Sequence, residues 1–382
     1  MTKEEKVIAA VNDFNTGVSV KTILQRYKCS KSWLYKWITR YKKNRSGSWY
    51  IEQSRRPNKV HKTISEKDEK VVIAARKLLE SKPYSQRGAI SIQYELRAQG
   101  QEILPVWKIN KILSHAGLNK KQDKVPKRVN EYPDAGIVVD QMDFVGPRYI
   151  KNDGRFYSLN IIDTTTHFAQ INLLRSMQTE NVLQSVIRFW QQRGIPDFLQ
   201  MDNGLSFRGS NKHPRSFGPL IRLALSLCIT PVFIPIKEPW RNGIIEKFND
   251  AFNKRFVRSR VYENFDKMVE CAADFEQYHN SSHRYNAHHN RTPMQQLQEE
   301  FSRDLLAHDF TLPTSKLPIQ YGRIVLIRFI RSNLILDIFG EKFLLPQHLA
   351  YSYIKAIIEV ADEMLYVVRD NELQWMTGYQ LP

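Results

Sequence analysis

The sequence predicts a multidomain α+β protein, with two helical bundles at the N-terminus, a mixed α/β core and a small C-terminal β-barrel. Three observations carry that reading. Apolar residues recur at helical spacing up to about residue 118, in two sets of three short segments. Between about residues 134 and 305, short alternating apolar runs take over and then interleave with helical segments, as in a sheet covered by helices. Beyond Ser315, five short strand-like runs with turn signals between them occupy the remaining chain, which suits a small barrel over 316–382.

Residues 1–43 hold the first three helical segments. Val7, Ile8, Val11 and Phe14 share one face of the first, which stops near Gly17. Ser19 caps a second with Ile23, Leu24 and Tyr27 inside, and Ser30 caps a third carrying Trp33, Leu34, Trp37, Ile38 and Tyr41. Short helices, a tight turn and a basic third helix read as a helix-turn-helix, with Lys31, Ser32, Tyr35, Lys36 and Arg40 facing a DNA major groove. A helical bundle with merely solvated charges is the alternative. Residues 44–63 form a basic linker, where Arg55 and Arg56 fit an extended arm in a minor groove and fit a solvated tether equally well.

Residues 64–118 repeat the plan. Ser65 opens a helix through Val71, Val72, Ala75, Leu78 and Leu79, and Pro83 closes it. A second segment runs over 89–96 and ends at Gly100. A third, over 106–115, has Trp107, Ile109, Ile112 and Leu113 as core, with Lys108, Asn110 and Lys111 outward. This predicts a second helix-turn-helix for DNA. The lysine-rich linker over 119–133 would lie along phosphates.

In the 134–305 core, strands are expected over 137–149, 156–163 and 168–174, with Asn152-Asp153-Gly154 as a hairpin turn. A helix over 179–193 closes at Gly194-Ile195-Pro196, and a fourth strand leads to Asp202. An apolar run over 229–236 ends in a proline-bounded loop, and a helix begins near Gly243 with Asn242 as its N-cap. Glu246 falls in its first turn, where the helix dipole favours a carboxylate. Asp143 and Asp202 each sit at or near the edge of an apolar run. Three carboxylates gathered together repel unless hard cations lie between them, an arrangement suited to metal-assisted attack on a phosphodiester.

The order Asp143, Asp202-Asn203-Gly204, Pro239 and Asn242-Gly243-Ile244-Ile245-Glu246 resembles the Asp-Asp-Glu core of retroviral integrases and related bacterial insertion-sequence transposases. The resemblance extends over nearly the whole chain. It implies an RNase H-like core, an SH3-like barrel at the end, and DNA strand cleavage followed by strand transfer. It implies that Asp143, Asp202 and Glu246 are catalytic and hold two Mg2+ ions, with Mn2+ as a substitute. Double-stranded DNA is the implied partner, as transposon ends and target. A homo-oligomer, at least a dimer on DNA, goes with it, an accessory ATPase is left open, and the implied setting is the bacterial cytoplasm at the nucleoid.

Two nearby acids compete for these roles. Glu238 stands at the family's usual distance from Asp202, and Glu246 lies eight residues further on. Pro239 and the Gly-apolar-apolar-Glu step favour Glu246, which implies an inserted loop over 207–220. Asp140, three residues before Asp143, must point to the opposite face of its strand. Beyond Glu246, Lys247, Asn249 and Lys254 are expected to project from the helix and hold DNA, with a solvated basic face as the alternative. Arg323, Arg328, Arg331 and Lys342 in the tail are further DNA candidates, with protein–protein contact the competitor. The histidine-rich run over 278–293 lacks cysteine and zinc-ligand spacing, and reads as packing.

The charge balance agrees with this direction. The chain has 57 Lys+Arg against 39 Asp+Glu, a net +18, which favours a polyanionic partner. Three scattered cysteines exclude a disulfide framework and a Cys/His zinc module, and suggest a reducing compartment. No apolar run approaches membrane-spanning length, and the start leads into an amphipathic helix, so an intracellular protein without membrane contact is expected. A non-catalytic DNA-binding regulator or target selector shares every DNA-binding feature and differs in having no use for three clustered acids.

Overall fold

The computed structural model describes residues 1–45, 47–52, 64–119, 138–210, 212–213, 215–299 and 303–382. Arg55, Arg56 and nearly all of the second basic linker lie outside the described residues. The chain divides into two units, Met1–Ser65 and Glu66–Pro382.

The first unit is three helices, α1 (Lys3–Asn15), α2 (Val20–Tyr27) and α3 (Lys31–Lys43). Each starts where a hydroxyl side chain can satisfy an orphan N–H. Thr2 and Glu5 form a reciprocal capping box on α1, Ser19 accepts from Thr22 N–H, and Ser30 accepts from Trp33 N–H. Val7, Ala10, Val11, Ile23, Leu34 and Trp37 close the core. Lys31, Ser32, Tyr35 and Lys36 remain exposed on α3.

The second unit opens with α4 (Glu66–Ser81), α5 (Ala89–Ala98) and α6 (Val106–His115). Ile109, Ile112 and Leu113 are buried as expected, but Trp107 is not core: it is 57% exposed. Two residues along a helix is about 200° of rotation, so Trp107 cannot share the face of Ile109. The α4–α5 loop docks on the core. Tyr84 packs against Phe256 and Phe275, while the Gln86 side chain donates to Arg284 O (3.0 Å) and accepts from Arg284 N–H (2.8 Å).

The core sheet starts with β1 (Val139–Ile150), β2 (Gly154–Asp163) and β3 (Ala169–Leu174), an antiparallel meander, with a register shift between Val145 and Arg148. Helix α7 (Thr179–Arg193) crosses to β4 (Phe198–Met201), parallel to β1. A short α8 (Leu205–Arg208) and α9 (Pro219–Ser226) lead to β5 (Thr230–Phe233), parallel to β4. Helices α10 (Gly243–Phe252), α11 (Phe265–Ser282) and α12 (Pro293–Leu297) follow. The expected inserted loop is closed at its neck by two glycines: a Cβ on Gly209 would lie 2.7 Å from the Gly218 Cα, so neither position tolerates a side chain. The helix α9 begins immediately after it.

Strand parity divides the two faces. Met142, Leu159 and Ile161 join α7 in one hydrophobic core, whereas Val145, Ile162 and Ile171 join Phe248, Phe252 and Phe275 of α10 and α11 in another. Asp140 therefore shares the α7 face, and Asp143 the α10 face.

The C-terminal strands are β6 (Arg323–Ile330), β7 (Ile335–Ile338), β8 (Glu341–Leu344), β9 (Ser352–Glu359), β10 (Met364–Arg369) and β11 (Glu372–Gly378). Among the described residues they do not close a barrel. Instead β6 pairs in parallel with β5, and the sheet runs β11-β10-β9-β6-β5-β4-β1-β2-β3 with β7–β8 as a separate hairpin. The reason is visible in β6: Ile324, Val325, Leu326 and Ile327 form an unbroken apolar run with both faces buried, the pattern of an interior strand.

Candidate active site

Three elements bring the acids to one place. Asp143 is on the α10 face of β1, Asp202 immediately follows β4, and Glu246 occupies the first turn of α10. Neighbouring parallel strands align the first two, and α10 is tied down at their ends. Its N-cap is not the Asn242 side chain, which makes no capping bond. Gln141 from β1 does that work: its Oε1 accepts from the N–H groups of Ile244 (3.2 Å) and Ile245 (3.0 Å). Asn242 instead bridges the strands, donating to Met142 O (3.0 Å) and accepting from Gln200 (3.2 Å). The sequence marks Asn242 as the N-cap by its place before Gly243, whereas Gln141 lies about a hundred residues away on β1 and carries no local signal for this contact.

The three acids act on one another electrostatically. Burial first, then the charges of Glu246 and Asp202, push Asp143 from its ordinary 3.8 up to about 7. Burial and the Asp202 charge also raise Glu246. Side-chain orientation is fixed from outside the trio. Asn249 Nδ2 donates to Asp143 Oδ2 (2.8 Å), and the Gly204 N–H donates to Asp202 Oδ1 (2.8 Å). A Cβ on Gly204 would come within 2.9 Å of that oxygen, so a side chain there would push the Asp202 carboxylate out of place. Asn203 is clamped between Ile234 O (2.7 Å) and the Arg328 guanidinium (2.8 Å).

Among the described residues, no group of three or more His, Cys, Asp or Glu is arranged so as to hold a metal ion. The donor set nevertheless suits a hard divalent cation, since it consists of carboxylate oxygens whose mutual repulsion already disfavours the charged forms. Repulsion of that kind holds carboxylates apart, and a cation between them removes it.

Both competing acids have structural partners. Asp140 is wholly buried and pairs with Arg303 (2.7 Å), which also holds Asp163 (2.6 Å); Arg193 completes that network. Glu238 accepts from Arg241 (3.0 Å) and from the Tyr353 hydroxyl (2.8 Å).

The proposed DNA residues divide. Lys31, Ser32, Tyr35, Lys36, Asn110, Lys111, Lys247 and Lys254 are exposed, Lys254 in an ion pair with Asp250. Arg40 is half-buried over the Trp37 ring, and Lys108 is paired with Asp68 (2.8 Å). Asn249 departs from expectation. It is 4% exposed, spent between Asp143 and Asn160, and so does not project toward DNA. Position 249 lies one residue past the buried Phe248 and three short of the buried Phe252, which turns it to the sheet. Arg328 likewise is 5% exposed and serves the Asn203 clamp, not a DNA surface. In the histidine-rich run, His279 is buried with its Nε2 near His167 O (3.1 Å), and the His167 ring packs on Tyr285.

A pH effect follows. Without added metal, folded Asp143 keeps its proton to about pH 7, whereas the unfolded chain releases it near 3.8. A raised carboxyl contributes stability that is whole below the unfolded value and is lost as pH climbs through the folded one. In EDTA, the native sequence should therefore lose melting temperature relative to Asp143→Asn between about pH 4 and 7, while His167, His279 and His283, held neutral by burial, add an opposite slope to both proteins. Asp140, also raised to about 7, and Glu246, also raised, contribute in the same sense as Asp143. Added Mg2+ should raise the melting temperature of the native sequence at neutral pH and leave that of Asp143→Asn nearly unmoved.

Residues 1–49 match the family described as homeodomain-like domain, so a homeodomain-like helix-turn-helix stands at the N-terminus. No curated protein matches the chain. Among solved structures, the chain is similar to the HTLV-2 integrase catalytic core domain in complex with magnesium, at 14% identity over 41% of this chain and 94% of that one, TM-score 0.31. It is also similar to a chain of the simian T-cell lymphotropic virus intasome in complex with PP2A regulatory subunit B56 gamma, at 15% identity over 76% of this chain and 93% of that one, TM-score 0.36. A third similarity is to the BIV integrase catalytic core domain, at 17% identity over 43% of this chain and 95% of that one, TM-score 0.32.

Proposed function

We propose that this chain is a DNA transposase or integrase that binds element ends and carries out strand cleavage and strand transfer at Asp143, Asp202 and Glu246. The observation that carries the reading is the electrostatic coupling of these acids. Three separate elements deliver them, and the charges of Glu246 and Asp202 both oppose ionisation of Asp143. A protein that only bound DNA would gain nothing from that repulsion.

The three carboxylates would hold Mg2+, or Mn2+ in its place. When bound there, divalent cations stabilise charge developing on phosphoryl oxygens and favour the deprotonated nucleophile, water or a 3′-hydroxyl. The chain's own residues supply orientation. Asn249 and the Gly204 N–H each hold one oxygen of an aspartate, which sets the direction of that carboxylate. Gln141 and Asn242 lock the start of α10 to the strands, so Glu246 cannot drift from the other two. The Arg328–Asn203 clamp ties the turn after Asp202 to the C-terminal sheet, making that sheet part of the site's scaffold. Exposed Lys247 next to Glu246, exposed Lys254 past the end of α10, and the exposed face of α3 supply phosphate and groove contacts. Joining two ends requires more than one copy, so the active form is at least a dimer.

The test incubates the full chain with Mg2+, a labelled duplex ending in the element's terminus and a supercoiled plasmid. Joined product supports the reading. Nicking alone would make the protein a nuclease, and binding alone a regulator.

A further inference from the structure

We propose that the cleft between the α4–α5 loop and the end of α10 is a docking site for the phosphodiester backbone of duplex DNA. The inference rests on the function proposed above only for the register of the DNA, not for the contact itself. The cleft has a volume of about 490 Å³, and its lining includes Lys82, Tyr84, Arg87, Lys254, Arg255 and Arg260. Five of those six side chains are cationic. The lining carboxylate, Glu80, is engaged by Arg76 (2.7 Å), and of the cations Lys82 and Lys254 are paired with Glu95 (2.7 Å) and Asp250 (2.6 Å).

The cations are also held in place. Arg260 donates to the Tyr84 hydroxyl (2.6 Å) with its guanidinium over that ring, and Arg255 donates to the His283 ring (3.1 Å). Neither has a carboxylate within ion-pair distance among the described residues, and neither does Arg87. Burial lowers the Arg255 pKa, a cost that an arriving anion would relieve. The loop itself is anchored: Arg76 donates to Arg87 O (2.6 Å), and Gln86 is bonded to the Arg284 backbone. On the other wall the helix ends in a turn of π-helix, Asn253–Val257, a rare conformation that recurs at functional sites. Fixed cations pointing into one concavity match a chain of phosphates better than a single small anion.

The geometry supplies a register. Lys254 lies eight residues beyond Glu246, which is about 12 Å along a helix. For a duplex lying along α10, phosphates of one strand repeating about every 3.4 Å put the cleft roughly three to four nucleotides from a phosphate held at the acids.

The test uses the full chain and a linear duplex without any element sequence. Lys82→Ala combined with Arg87→Ala removes two exposed cations of the cleft, and Lys267→Ala combined with Lys316→Ala removes two exposed charges elsewhere as a control. Each neutralised phosphate contributes about 0.9 to the slope of log K against log salt. The cleft variant should lower that slope by about one to two and weaken binding in low salt, with unchanged melting temperature. The control pair should leave the slope as it was. Equal slopes for the two variants would overturn the proposal, as would release of the duplex by inorganic phosphate beyond the effect of matched ionic strength, which would mark a small-anion pocket. In a joining assay, single methylphosphonates three or four nucleotides from the cleaved bond should impair binding by the native sequence but add nothing to the cleft variant. Failure of joining with an intact slope effect would sink the enzymatic reading and leave the cleft standing; the reverse result would do the opposite.

Discussion

Glu246→Gln abolishes strand cleavage and joining, by a factor on the order of 10³ or more, while duplex binding is retained. Removing a single group that stabilises transition-state charge costs about 10²–10³, and here the substitution also removes a cation ligand. The helix is unaffected, because Gln141 and Asn242 hold its start through backbone and amide contacts that do not involve position 246. Glu238→Gln is the control. Glu238 faces Arg241 and Tyr353, so its loss trims a half-buried contact and leaves the reaction near its native rate. Mg2+-dependent joining by Glu246→Gln at more than about a tenth of the native rate would refute the assignment.

Arg303→Met has the largest expected effect on stability. Arg303 is the counter-ion of Asp140 and shares Asp163 with Arg193, all with side chains almost fully removed from water. Breaking a buried pair leaves a charge uncompensated and costs about 3–5 kcal/mol. Asp163 keeps Arg193, so Asp140 bears most of the loss. Since Asp140 already holds its proton to about pH 7, the penalty is largest above neutrality and shrinks as pH falls and the carboxyl protonates. Denaturant unfolding of native and variant protein at about pH 8 and pH 5 reads this directly. An equal loss at both would mean that packing, not charge, is what Arg303 provides.

Much of the architecture was legible because its signals are local. Ser19 and Ser30 announce helix starts, the period changes from helix to strand after the lysine-rich linker, and 179–193 is a helix with the bounds expected. Strand parity alone turned Asp140 and Asp143 to opposite faces. What escaped depends on contacts distant in sequence. Asn249 lies two residues past the exposed Lys247, and only the fold shows it spent on Asp143 and Asn160. Gln141 and Asn242 exchange the role that N-cap statistics assign, because a strand end lies close enough to reach the helix N–H groups. Arg328 looks like any basic residue of a strand until the β5–β6 pairing buries it against Asn203. The sixth C-terminal strand, β11, was missed for the opposite reason. It is a sheet edge with mostly exposed side chains, so it carries little apolar alternation.

The central claim is that positions 143, 202 and 246 form one divalent-cation site. Mn2+ bound per chain, counted by electron paramagnetic resonance in the native sequence and in Asp143→Asn, Asp202→Asn and Glu246→Gln, tests it most directly. The account predicts that all three substitutions weaken or remove the same bound ions. Native-like Mn2+ binding by any one of the three would contradict it.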